Sequence, residues 1–228
     1  VSGPIQPLHC HPACYAAFGA ALPHLAEPGG LLRAAATIAL HQHPSADLEL
    51  VEERIEGLAQ QVRTAAQGRS QKARLALLHR VLFEEHDFQG DEQTYSNPSN
   101  SYFNTILATR RGLPITLALL YVEVARRVGI PAHGLDAPAH FLVEVEEPDG
   151  LLIVDPFHRG SALTRAEVLE RLQRTLGRPL PPDARIARAT PVGWLDRILR
   201  NLEGSFGRAS RLEDQAAMGE LRALLKAG

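Results

Sequence analysis

The chain has 228 residues, 45% of them apolar and 22% charged, which is ordinary globular composition and excludes disordered, collagen-like and coiled-coil classes. With 24 Lys+Arg against 26 Asp+Glu the net charge is −2, so there is no electrostatic footprint for nucleic acid or for an anionic membrane. A chain this long buries roughly 70–75% of its unfolded surface and needs neither a metal nor a disulfide to fold; Cys10 and Cys14, the only cysteines, fit a reducing, cytoplasmic setting.

All basic residues except Lys72 and Lys226 are Arg, which reads as the codon bias of a GC-rich, bacterial genome rather than as chemistry. The stretch 1–26 has no Lys or Arg, and Pro4, Pro7, Pro12 and Pro23 interrupt it, so it does not read as a secretory signal. No apolar run reaches the ~18–20 residues of a membrane span; the best, Leu113–Val122, stops at Glu123.

The first half reads as helices. Ala16–Leu22 and Leu31–Leu40 are short apolar candidates. Ser45 is placed to cap a third helix, whose stripe is Leu48, Val51, Ile55, Leu58 and Val62. Ser70 opens a fourth, with Leu75, Leu78 and Leu82 on one face. Residues 88–100 are polar and turn-rich, and a helix follows that buries Tyr102, Phe103, Ile106 and Leu107. Pro114 suits the first position of the most apolar helix, which Gly129 and Pro131 end.

The period then changes to two. Ala132–Leu135 is a possible strand. His140–Glu146 places Phe141, Val143 and Val145 on one face and His140, Leu142, Glu144 and Glu146 on the other. Pro148-Asp149-Gly150 is a turn, and Leu151–Val154 completes an antiparallel hairpin. Thr164 and Glu167 form a capping box for a helix to about Leu176. A Pro-rich linker, Gly177–Pro182, precedes two helices at Val192–Phe206 and Leu212–Leu225. The expected fold is α+β: an irregular or short-helical segment at 1–25, a domain at 26–180 with a small antiparallel sheet on the Pro114 helix, and a helical appendage at 181–228.

Two segments carry candidate chemistry. His140 opens one strand of the hairpin and Asp155 closes the other, so the turn sets them side by side; a carboxylate there would orient the imidazole. A strand-edge His and a turn Asp before Pro156 would have the same spacing. Arg111–Thr116 spans a helix start, where free N–H groups favour an anion or a thiolate, or simply open a core helix. His9-Cys10-His11-Pro12-Ala13-Cys14 has metal-capable side chains, but no second Cys/His pair follows at zinc spacing, so no metal or cofactor is expected.

In order and spacing these motifs resemble the transglutaminase-like, papain-like superfamily, and most closely its bacterial SirB-type branch. The matching residues are Tyr95, Pro98, Asn100-Ser101, Arg110-Arg111-Gly112-Leu113-Pro114-Ile115-Thr116-Leu117, Ala139-His140-Phe141-Leu142 and Asp155-Pro156-Phe157, within a resemblance covering about residues 25–205. The resemblance implies a cleft that in active members pairs a nucleophilic Cys with His and Asp. Counting back from Gly129-Ile130-Pro131, that Cys position falls on Pro114, which has no nucleophile. Ala139 replaces the usual Gly, and Arg159 stands where Gly is common.

Two functions stay open. One is a regulatory module that lacks the nucleophilic Cys and binds a peptide or protein in the residual His140–Asp155 cleft, with Pro114, Asn100, Ser101 and Asn104 as further binding candidates. The other is a hydrolase or acyl transferase in which His140, oriented by Asp155, activates water or Thr116. Thr116 could instead serve its own helix end, and Asn100 and Ser101 could be a turn and N-cap.

Overall fold

The computed structural model describes residues 6–181 and 186–227. Pro4, in the Pro-interrupted opening stretch, and Pro182, at the end of the expected linker, lie outside the described residues. In chain order the helical first part comprises α1 (Pro12–Ala21), α2 (Gly30–Thr37), α3 (Leu48–Ala65) and α4 (Gln71–His79). A two-residue strand β1 (Gln89–Gly90), α5 (Phe103–Thr109), a second short strand β2 (Arg111–Gly112) and α6 (Pro114–Arg127) follow. Then come β3 (Ala132–Ala137), β4 (His140–Glu147), β5 (Gly150–Asp155), β6 (Ser161–Leu163) and α7 (Arg165–Leu176). The chain ends with β7 (Ala187–Arg188), α8 (Pro191–Arg208) and α9 (Leu212–Ala227). The mixed helix and sheet architecture is the expected α+β class.

The chain forms two compact units. One takes in the residues up to Glu52, Thr94–Thr109 and Thr190 onward; the other takes in Glu53–Gln93 and Arg110–Ala189. The first is helical. Its α8 and α9 pack together, and Arg222 of α9 bridges to Asp196 (2.9 Å) and Glu203 (2.7 Å) of α8. Trp194, Leu195, Ile198, Leu199 and Leu202 give α8 a buried stripe at helical spacing.

The second unit holds the sheet, with strand order β6-β5-β4-β3-β7, antiparallel throughout. The expected hairpin is its centre: Val143 pairs with Val154 and Val145 with Leu152. Two strands were not expected, β6 on the β5 edge and β7 beyond β3. The face carrying Phe141, Val143 and Val145 is buried under α6. The other face is apolar at one end, where Leu135, Leu142 and Leu163 pack against Val168 and Leu172 of α7.

Local signals explain most boundaries. Pro114 is the first residue of α6, and Gly129 takes φ +70° just past its end. The helix is buried nearly all round, including Leu117, Leu120, Tyr121 and Val124, as an interior helix should be. Ser70 Oγ accepts from Ala73 N (3.3 Å) and caps α4 as expected. For α3 the cap is not Ser45. The helix starts later, and the Asp47 carboxylate accepts from Glu49 N (3.0 Å) and Leu50 N (3.1 Å). Thr164 and Glu167 close the expected capping box at α7, with Thr164 N donating to Glu167 Oε2 at 2.7 Å. Arg80–Glu85 winds as a π-turn at the end of α4, which brings the consecutive residues Val81, Leu82 and Phe83 all inside.

Leu172→Ala should lower the unfolding free energy by ~2–5 kcal/mol in urea titration, because it opens a cavity between α7 and the sheet. Leu151→Ala, at an exposed position, should change it by less than ~0.5 kcal/mol.

Candidate functional site

The site is built around Asp155. This residue ends β5, and Pro156 immediately begins a single 3-10 turn, Pro156–His158. The carboxylate caps that turn: Oδ1 accepts from Phe157 N (3.1 Å) and His158 N (3.3 Å). The other oxygen, Oδ2, is shared. It lies 2.9 Å from His140 Nε2, 2.8 Å from His158 Nδ1 and 3.5 Å from Arg171 Nη1. Asp155 is 0% exposed. Burial alone would push its carboxyl up, but the hydrogen bonds and charges of the two imidazoles outweigh it and hold the group well below the usual carboxylate range. The same bond raises the pKa of His158, against the opposing effect of partial burial.

His140 reaches Asp155 because β4 and β5 are antiparallel neighbours, with Val143 opposite Val154. The expected contact between the two side chains is therefore present, at 2.9 Å. His158 and Arg171 were not anticipated. The His158 signal was in the sequence: three residues after the Asp of an Asp-Pro, a turn folds the side chain back onto the carboxylate. Arg171 gave no signal, since it is one of several cations on an amphipathic helix.

The start of α6 is tied to this region by short contacts. Gly90 pairs with Gly112, two residues before Pro114. The Phe157 ring sits against Gly90 so closely that a Cβ there would lie 2.4 Å from ring atoms. Phe157 in turn meets His140 edge-on, with centroids 6.1 Å apart. Pro114 is buried in the first turn. Thr116 is 0% exposed, and its Oγ1 accepts from Leu113 N and donates to Leu113 O, both at 3.1 Å. That is service to its own helix end.

Asn100, Ser101 and Asn104 belong to the helical unit. Asn100 and Ser101 are buried in the 3-10 turn Pro98–Ser101, whose cap is Asn97 through Ser99 N (3.0 Å). Asn100 Nδ2 donates to Thr94 O at 2.8 Å.

Both departures from the resembled pattern sit on left-handed backbone. Ala139, in the β3–β4 turn, has φ +58°, and Arg159 has φ +56°. A Gly adopts such angles without strain, and another L-residue at a cost of about 1–2 kcal/mol. Arg159 recovers interactions there: Nη2 donates to Phe83 O at 2.6 Å, and the guanidinium pairs with Asp87. Ala139 has no side-chain polar group with which to do so.

A cleft of about 350 Å³ opens beside the carboxylate. Leu142, Leu163 and Leu172 make its apolar wall, and His140, Arg171 and Arg174 supply its polar groups. His140, Asp155 and His158 each offer a donor atom within 4.8 Å of the others, so this trio could also gather around a cation; as drawn together here, the contacts to Oδ2 have hydrogen-bond lengths.

A family model described as the transglutaminase-like superfamily matches residues 49–200. The chain belongs to this superfamily. It is 35% identical over 192 residues to a UPF0162 protein of Xylella fastidiosa, covering 82% of this chain and 68% of that one. A UPF0162 protein of Pseudomonas aeruginosa is 30% identical over 205 residues, covering 89% and 73%. A shorter likeness, 32% over 101 residues, links it to human F-box only protein 21, covering 41% of this chain and 16% of that protein. No solved structure matches.

Two outcomes follow from the geometry. Ala139→Gly should raise stability by about 1 kcal/mol in urea titration, because it relieves the positive φ at a position with no compensating polar contact. His158→Gln should destabilise the protein most at low pH. The folded-state pKa of His158 is raised, so its contribution is complete below the unfolded value of about 6.5 and is lost as pH rises through the folded value. Urea midpoints at pH 5.5 and 9 should differ between variant and wild type only at the lower pH.

Proposed function

We propose that the protein is a regulatory, non-covalent member of the transglutaminase-like superfamily, of its SirB-type branch, which binds a peptide or protein in the cleft beside Asp155 and works in the cytoplasm. The observation that carries this reading is the absence of a thiol where the superfamily's chemistry needs one. The helix begins with Pro114, which is buried there and is not among the residues lining the cleft, and the only cysteines, Cys10 and Cys14, belong to the helical unit. The cleft itself supports recognition. It sets an apolar wall of Leu142, Leu163 and Leu172 beside the cations Arg171 and Arg174, a combination suited to an apolar side chain next to a carboxylate. No described helix is long and apolar enough to cross a membrane, in keeping with a partner that is not a bilayer.

A second reading is favoured by one contact. The 2.9 Å bond from His140 to Asp155 is the orienting half of a catalytic dyad, which could activate water. Thr116 is less suited to nucleophilic attack, because its hydroxyl bonds at its own helix end.

Selection of a random peptide library on the immobilised protein separates the readings. Enriched peptides should pair an apolar residue with an acidic one or a free C-terminus. Arg171→Glu should weaken their binding by about tenfold or more, through loss and reversal of the cation at the cleft. Peptides that bind the Arg171→Glu and Leu172→Glu proteins as well as wild type would sink the binding proposal. Hydrolysis of a peptide or ester that disappears in His140→Ala would establish the catalytic reading instead.

A further inference from the structure

Two nitrogens converge on one oxygen of the Asp155 carboxylate. His140 Nε2 and His158 Nδ1 stand 2.9 Å and 2.8 Å from Oδ2, and one donor atom from each of the three residues lies within 4.8 Å of the others. Each side chain is held by a different piece of backbone. His140 opens β4, Asp155 closes β5, and His158 ends the turn that Asp155 itself caps. The backbone N–H groups of Phe157 and His158 occupy Oδ1, which leaves Oδ2 to face the two rings. The ring centroids are 5.9 Å apart, so the imidazoles approach that oxygen without stacking on each other.

We propose that His140 Nε2, Asp155 Oδ2 and His158 Nδ1 form a binding site for a divalent transition-metal ion of the zinc type. The site goes beyond the peptide-binding reading and does not rest on it. Two imidazole nitrogens and one carboxylate oxygen suit zinc and its neighbours, whereas magnesium and calcium take oxygen donors. Ligands ~2.0–2.2 Å from a tetrahedral ion stand roughly 3.3–3.5 Å apart, so each nitrogen needs to withdraw from Oδ2 by only about half an ångström. The His140 and His158 side chains are 20% and 46% exposed and can turn that far, while the buried carboxylate stays pinned through Oδ1.

The surroundings fit an ion with an open position. A ring that ligates through one nitrogen carries its proton on the other. For His158 that is Nε2, and the Glu92 carboxylate stands 4.0 Å away to receive it, as an outer partner that orients the ligand. Three protein ligands leave a fourth position, which opens on the cleft that His140, Asp155 and His158 all line. Water, or a carboxylate on a bound partner, completes the shell there. Arg171 opposes the ion, with Nη1 3.5 Å from Oδ2, but its side chain is 41% exposed and has solvent into which to swing. Arg174, also on the cleft, is paired with Glu170 at 2.8 Å.

The full chain is stripped with a chelator, dialysed and titrated with zinc chloride near neutral pH by calorimetry, then with cobalt(II) as a spectroscopic substitute. One zinc ion per chain should bind, and excess magnesium should not displace it. His158→Gln and His140→Gln should each weaken binding by at least about 100-fold, more than loss of an outer partner of a ligand costs. These positions are partly exposed, so the variants are expected to fold; Asp155, which is fully buried, is left intact. Arg171→Gln should tighten zinc binding several-fold by removing a cation. On the peptide-binding reading the loss of that cation weakens binding, so the two proposals fail separately. The cobalt protein should show the visible bands of a nitrogen and oxygen site, which sets it apart from metal held by Cys10 and Cys14. Zinc bound no more tightly than magnesium, zinc bound as tightly by His158→Gln as by wild type, or a cobalt spectrum dominated by sulfur charge transfer would overturn the proposal.

Discussion

A carboxylate with no solvent exposure is the constraint on which the sheet-bearing unit depends. Burying the Asp155 charge would cost several kcal/mol if it were left unpaired. The structure meets that cost with two backbone N–H groups on one oxygen and two imidazoles on the other. Each partner fixes something larger. The backbone bonds end β5 and set the Pro156–His158 turn. That turn carries Phe157 onto Gly90, and Gly90 holds the strand that leads into α6. The His140 bond fixes the first residue of β4 against the last of β5. One side chain thereby couples a strand end, a turn and the orientation of a ring.

Two residues around this centre hold backbone angles that favour glycine. Ala139 and Arg159 keep the left-handed angles that Gly would adopt freely. Arg159 does so with a long side chain that bonds Phe83 O and pairs with Asp87. At Ala139 the strain stands uncompensated. The loops at the cleft are therefore held by the contacts around them rather than by the preferences of their own residues.

Much of this was legible in the sequence because periodicity and caps are local. The α6 limits follow from Pro114 and Gly129, and the hairpin from alternation around Pro148-Asp149-Gly150. What escaped was either too short to show a period or set by distant residues. The β1–β2 pair is two residues long, and β7 has a sequence, Ala187-Arg188, without strand character. The π-turn at Arg80–Glu85 breaks the 3.6 spacing on which the Leu75, Leu78, Leu82 stripe was read, although those leucines are buried all the same. Asp47 displaced Ser45 as a cap because both have suitable side chains and only the helix start decides between them. At the site, the His140–Asp155 contact was readable from the turn between them, but the sharing of Asp155 with His158 and Arg171 was not.

That sharing bears on what the cleft can do. A carboxylate that serves a catalytic imidazole supports the positive charge that develops on it. Here the same oxygen also accepts from His158, whose protonated form it favours, and lies near the Arg171 guanidinium. When His158 is charged, the carboxylate is already neutralised in large part by a partner other than His140. The Asp155 oxygen that meets His140 is therefore shared rather than dedicated to it. On the binding reading proposed above, that sharing has a use. His158 and Arg171 leave the cleft with a cationic side next to the apolar wall of Leu142, Leu163 and Leu172, and a carboxylate on a partner would meet it without any proton being transferred. The groups that share Asp155 with His140 are thus the same ones that would give the proposed binding cleft its cationic side.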